Sequence, residues 1–105
     1  MGLGYGWEKF SVAVQTAASS QAALQERLAS CFVFGLFDME RDFFPDDETF
    51  ERYQSLFAKT KEHFVTTPGG DTTVNMTDEE AAHCLKEICG VFSDIARAYG
   101  AQRYP

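Results

Sequence analysis

The sequence predicts an all-α fold, a compact four-helix bundle of antiparallel helices with one long loop before the last helix. In several segments apolar residues recur at intervals of three and four, the spacing that places them on one face of a helix. Residues 77–80 read Thr-Asp-Glu-Glu, a capping box that is typical of a helix start. At 105 residues the chain is expected to form one domain, residues 1–105, with its own core.

The first helix is predicted over residues 5–18. The glycines at positions 2, 4 and 6 indicate a loose start, because glycine disfavours regular helix. The predicted buried face has intervals of three, four and three residues, and it consists of Trp7, Phe10, Val14 and Ala17.

The second helix is predicted over residues 21–39, where Ser19 or Ser20 can cap the free amides of the first turn. The run at 31–37, Cys-Phe-Val-Phe-Gly-Leu-Phe, is apolar on every side and by itself also suits a strand. The strongly helical composition of residues 22–29 favours a continuous central helix instead.

The third helix is predicted over residues 46–64, after a break at Pro45. Residues 65–76 are predicted to form a loop, because Pro-Gly-Gly-Asp within them signals a turn. The fourth helix is predicted to run from Thr77 to a stop at Gly100. The apolar faces of these two helices are Phe50, Tyr53, Leu56, Phe57, Thr60 and Phe64 in the third, and Leu85, Ile88, Phe92, Ile95 and Tyr99 in the fourth.

The composition excludes several classes of protein. The net charge of −7 and scattered lysines and arginines argue against binding to nucleic acid or to an anionic membrane. Three cysteines without a CxxC spacing indicate free thiols in a reducing compartment, and the N-terminus lacks the pattern of a signal peptide. The longest apolar run is too short to span a bilayer, so a cytoplasmic protein is expected.

The strongest functional signal is an acidic block at residues 38–51, which has seven carboxylates against one arginine. It predicts a contact surface for a basic protein partner, with Phe43 and Phe44 as aromatic anchors and the carboxylates as a polar rim. The alternative is a solvated rim around a helix start, where negative charge is favourable. Imitation of nucleic-acid phosphates is a further possibility, although it usually requires charge spread further along the chain. The predicted partner-binding residues are Asp38, Glu40, Asp42, Phe43, Phe44, Asp46, Asp47, Glu48 and Glu51.

A second pattern is the ExxH element formed by Glu80 and His83, which helical di-iron proteins use twice. The other histidine, His63, follows Thr60 at the corresponding position, so the second element is missing. Capping and solvent exposure explain Glu80 and His83 without a metal. The sequence therefore predicts no metal or other cofactor.

These observations favour a small acidic cytosolic interaction module, a regulator or inhibitor that acts by surface contact rather than an enzyme. One alternative is an obligate homodimer of structural role, since the aromatic content of 14% is high for so small a domain. Another is a metal-binding helical bundle built on Glu80 and His83.

Overall fold

The protein is mostly helical, as the three-and-four spacing of apolar residues predicts. The computed structural model describes residues 2–103, and within them the α-helices are α1 (Leu3–Ser19), α2 (Leu24–Cys31), α3 (Asp47–Glu62) and α4 (Asp78–Arg103). A π-helical turn (Phe32–Leu36) continues α2, and a 3₁₀ turn (Arg41–Phe43) precedes α3. A small antiparallel hairpin of β1 (Phe64–Thr66) and β2 (Thr72–Val74) lies between α3 and α4.

The longest helix, α4, occupies the centre of the fold, because it contacts α1, α2 and α3. The second helix, which the sequence indicated as central, packs against α1, α4 and β2. The predicted stop at Gly100 is wrong, since α4 continues to Arg103. An added methyl group at Gly100 would meet no atom within 4 Å, so this glycine makes no close packing contact. The buried face of α4 consists of Ala81, Cys84, Ile88, Val91 and Ile95.

The predicted second helix over residues 21–39 is shorter and less regular than expected. It begins at Leu24, and its apolar end unwinds into the π-helical turn, which excludes the strand alternative for residues 31–37. The Tyr53 hydroxyl from α3 closes this end: it donates to the Leu36 carbonyl and accepts the Met39 N–H at 2.8 Å. Two backbone groups that the helix no longer satisfies thus gain a buried partner.

The segment predicted as a loop, residues 65–76, contains most of the hairpin. Phe64 lies opposite Val74, and Thr66 lies opposite Thr72. The Val74 side chain is buried, and β2 packs against α2. Gly70 has a φ of 90° in the turn, a conformation that glycine adopts without strain. Strands of three residues are too short for a period-two pattern to reveal them.

Two glycines allow other segments to approach helices closely. A methyl group at Gly6 would lie 2.0 Å from the Phe43 carbonyl oxygen, so the 3₁₀ turn rests directly on the α1 backbone. A methyl group at Gly90 would lie 2.8 Å from the Arg52 guanidinium, which crosses α4 there to reach Asp94 at 2.7 Å. The predicted loose start around Gly6 is therefore a packed helical segment.

Candidate functional site

The predicted acidic block forms a corner that packs against α1 and leads into α3, and we call residues 38–51 the acidic corner. It runs from the turn after the π-helical segment, through the 3₁₀ turn, into the first turns of α3. Its carboxylate residues are all exposed to solvent: Asp38, Glu40, Asp42, Asp46, Asp47, Glu48 and Glu51.

Two of these carboxylates hold the backbone at the start of α3. The Asp46 side chain accepts the Thr49 N–H at 2.8 Å, and hydrogen bonds from the Thr49 backbone and hydroxyl lower the pKa of Asp46. Asp47 accepts from the Arg41 guanidinium at 2.6 Å, and Arg41 also donates to the Phe44 carbonyl at 2.9 Å. Asp46 and Asp47 therefore have a local structural role.

The positions of Phe43 and Phe44 correct the predicted anchors. Phe44 is only 3% exposed, and its ring packs 5.0 Å from that of Tyr53 and 5.9 Å from that of Phe10. The half-buried Phe43 ring packs edge-on against Tyr5 at 4.7 Å. Phe44 belongs to the core and Phe43 packs against it, because the 3₁₀ turn contacts α1. Phe44 is not available to a partner, and a Phe43/Phe44 double alanine variant would damage the fold.

The other five carboxylates of the acidic corner have no structural partner. Within residues 2–103, none of their side chains forms a hydrogen bond or an ion pair with another residue. Their charge is exposed to solvent, where a basic group of a partner can approach it. These five residues are Asp38, Glu40, Asp42, Glu48 and Glu51.

The acidic corner continues into a groove between α3 and α4. Glu48 and Glu51 form one wall of a hollow of about 400 Å³, and Glu87 and His83 lie on the other. Arg52 lies within the groove, but its guanidinium is already paired with Asp94 at 2.7 Å and with Glu87 at 3.6 Å. Glu48 and Glu51 are thus not paired with this arginine, although Lys59 also lines the hollow.

The ExxH pair has other roles in the structure. Glu80 accepts the Thr77 N–H at 3.0 Å while Thr77 accepts the Glu80 N–H at 3.1 Å, the reciprocal geometry of a capping box. These hydrogen bonds lower the pKa of Glu80. His83 lies 4.0 Å from Glu87, one turn along α4. Across residues 2–103, no three His, Cys, Asp or Glu side chains converge as metal ligands.

Among residues 2–103, the most exposed phenylalanine ring lies outside the acidic corner. Phe34, in the π-helical turn, is 83% exposed, and Val33 beside it is 40% exposed. We call these two residues the Phe34 ridge. One indication of this exposure was present in the sequence. Residues 31–37 are apolar on every side, so a helix at the surface must expose some of them. The burial of Phe32 and Leu36 against the core directs Phe34 to solvent.

The three cysteines are free thiols in different surroundings. Cys31 and Cys84 are buried and Cys89 is exposed. Burial is the main reason that the pKa of Cys31 rises to about 11, and the neighbouring Cys89 adds to the rise. Cys31 and Cys89 line one small hollow between α2 and α4. The sequence could not predict this neighbourhood, since the two residues lie on separate helices.

Comparison with protein-family models finds no match for this chain, and comparisons with curated proteins and with solved structures find none either. In the described part of the chain, no helix combines the length and the apolar character needed to cross a bilayer. The chemistry of the surface is therefore the basis for proposing a function.

Proposed function

We propose that this protein is an interaction module that binds a basic protein partner through the acidic corner and regulates or inhibits that partner by covering its surface. The observation that supports this function is the group of five exposed carboxylates without a partner among residues 2–103, namely Asp38, Glu40, Asp42, Glu48 and Glu51. Six of the seven net negative charges lie within the fourteen residues of the acidic corner.

Electrostatics favours this role because like charges held close together repel one another. Lysine or arginine residues of a partner would relieve that repulsion, steer the encounter and set the orientation of the complex. The carboxylates that cap or brace α3, Asp46 and Asp47, hold the backbone from which Glu48 and Glu51 project. The binding groups therefore extend from a defined backbone rather than from a disordered acidic tail.

The groove between α3 and α4 gives this surface shape as well as charge. Its volume of about 400 Å³ accommodates a lysine or arginine side chain that approaches Glu48 and Glu51 from solvent. Since Phe44 is buried, charge rather than aromatic insertion would supply the contact at this corner. Binding that depends on exposed charges weakens as ionic strength rises, because salt screens them.

The test is capture of a partner from host lysate on the tagged protein at low and at high salt. We expect a stoichiometric basic protein at low salt that is lost at high salt. A Glu48→Gln/Glu51→Gln double variant should lose the partner. The matched control, Glu62→Gln/Glu79→Gln, makes the same change in net charge at exposed positions outside the acidic corner and should retain it.

Two results would contradict the proposal. One is an equal loss of the partner in both double variants, which would show that only overall charge matters. The other is a partner that stays bound at high salt and is unaffected by Glu48→Gln/Glu51→Gln, which would assign the contact to a different surface.

A further inference from the structure

The Phe34 ridge exposes apolar surface to water. Phe34 is 83% exposed, whereas the nearby Phe32 is fully buried. A contiguous apolar patch of a few hundred Å² on a protein surface is often functional, and Phe34 lies between Val33 and the hollow that Val12 lines. The acidic corner does not explain this ring, because none of its carboxylates lines the hollows beside it.

A hollow lies on each side of the Phe34 ridge. The first, of about 150 Å³, lies between α1 and the α2 segment, and Val12, Ala13, Ala17 and Cys31 contribute to its lining. A volume of this size holds a molecule as large as benzene, which is also the size of a phenyl ring. The lining is mixed, because Thr16, Ser30 and three charged residues border it as well. The second hollow, of about 490 Å³, lies between the ridge and the turn of the β-hairpin.

We propose that a second copy of this chain covers the Phe34 ridge in a two-fold symmetric dimer. In this dimer the Phe34 ring of each copy enters the hollow between α1 and α2 of the other copy. A two-fold interface requires a patch that is complementary to itself. The Phe34 ring itself borders the hollow, so a two-fold axis beside it can bring the ring of each copy to the hollow of the other.

The charges around the first hollow are compatible with self-association. Its polar lining includes both signs, Glu8 and Lys9 from α1 and Arg27 from α2. A two-fold operation can place the carboxylate of one copy near a cation of the second copy, so the patch does not repel itself as the acidic corner would. A partner chosen by strong positive or negative charge gains little on this mixed surface.

The available area indicates a dimer of moderate affinity. The exposed parts of Val12, Val33 and Phe34 together supply about 300 Å² of apolar surface, judged from the size of such side chains. A standard interface buries about 800 Å² on each copy, so the walls of both hollows must form its rim. We therefore expect the dimer to dissociate on dilution. This inference does not depend on the basic partner.

The first experiment is sedimentation equilibrium of the full chain from about 1 µM to about 1 mM, a range that brackets moderate dissociation constants. We expect a monomer–dimer equilibrium. Phe34→Ala should raise the dissociation constant by about 100-fold or more, because truncating a central aromatic anchor has an effect of this size and each dimer contains two such rings. The matched control, Val65→Ser, alters an exposed apolar residue that lines neither hollow and should leave the equilibrium unchanged.

A second variant tests whether the ring enters the hollow. Thr16 is exposed at the wall of the first hollow, and Thr16→Trp should block it and weaken the dimer as Phe34→Ala does. Mixing the two variants brings one intact ring to a hollow that lacks only its own Phe34 side chain, whereas each variant homodimer lacks either the rings or the open hollows. The mixed heterodimer, measured by native mass spectrometry, should therefore be more stable than either variant homodimer.

Three results would overturn the proposal. A monomer at every concentration would show that the proposed dimer does not form. A dimer unaffected by Phe34→Ala would place the interface elsewhere. A mixture of Phe34→Ala and Thr16→Trp that associates no better than the separate variants would exclude insertion of the ring into the hollow. Circular dichroism of each variant establishes that it is folded, and loss of fold is not expected because both side chains are exposed.

Discussion

Replacing Gly6 by alanine tests the close contact that positions the acidic corner. The added methyl carbon would lie 2.0 Å from the Phe43 carbonyl oxygen and 3.0 Å from its carbonyl carbon. Both neighbours are backbone atoms, so the overlap cannot be relieved by a side-chain rotation. The 3₁₀ turn at Arg41–Phe43 would have to move away from α1 by about 1 Å, since packed interiors leave no space for it.

The expected change in stability is the cost of overpacking minus the gain in helix propensity. Overpacking of this kind costs up to about 3 kcal/mol, and more where backbone must shift. Alanine is the better helix former, which offsets the loss by about 1 kcal/mol within α1. We expect Gly6→Ala to lower the free energy of unfolding by about 2 kcal/mol, a large part of the 5–15 kcal/mol typical of a domain. The melting temperature should fall by about 10 °C.

Urea unfolding followed by circular dichroism measures this change, with Gly100→Ala as the matched control. An added methyl at Gly100 meets nothing within 4 Å, so that variant should be as stable as the wild type or slightly more stable. Amide exchange of Phe43 and Phe44, whose N–H groups donate to Glu40 and Arg41, should accelerate in Gly6→Ala alone. Equal unfolding midpoints for Gly6→Ala and the wild type would refute the close approach of the 3₁₀ turn to α1.

Three further outcomes can be measured on the pure protein. Tyr53→Phe should lower the free energy of unfolding by about 2 kcal/mol, because it leaves two buried backbone groups without their partner. Burial raises the pKa of Tyr53 to about 12, so the stabilisation by its hydroxyl is full below the ordinary value of 10 and is lost as the pH rises toward 12. The wild type should therefore lose more stability than Tyr53→Phe over this pH range, and equal losses in the two proteins would contradict the prediction. A thiol reagent at pH 8 should label Cys89 rapidly and the two buried cysteines only after unfolding, and rapid labelling of all three would refute their burial. The hydrogen bonds that lower the pKa of Asp46 stabilise the fold fully at pH values above 3.8, the ordinary pKa of this carboxyl group. This stabilisation is lost as the pH falls through the lower pKa of the folded state. The stability of Asp46→Asn should therefore depend less on acid than that of the wild type.

The helical elements were the most predictable part of the fold. The boundaries of α1 and α3 agree with the predictions to within about two residues, the usual uncertainty at helix ends. The capping box at the start of α4 also forms as predicted, with both reciprocal hydrogen bonds. Each of these features depends on residues within one or two helical turns, so the local sequence contains the information that specifies it.

The acidic corner was predictable in its charge but not in its aromatic residues. For Phe34, Phe43 and Phe44, the neighbouring residues in the sequence do not show whether the ring is buried or exposed. Contact with α1 and α3 buries the Phe44 ring, while the unwinding of α2 directs Phe34 to solvent. Each outcome depends on segments that are distant in sequence.

The sequence by itself determined the helical class, the start of α4 and the concentration of negative charge at residues 38–51, because composition and local hydrogen bonding are sufficient for these properties. Tertiary structure decided the central position of α4, the hairpin, the π-helical turn and the exposure of each ring. The physical reason is that burial is a property of pairs of segments. The Tyr53 hydroxyl closes the end of the π-helical turn, and Gly6 lets Phe43 approach α1, only after the helices have packed together.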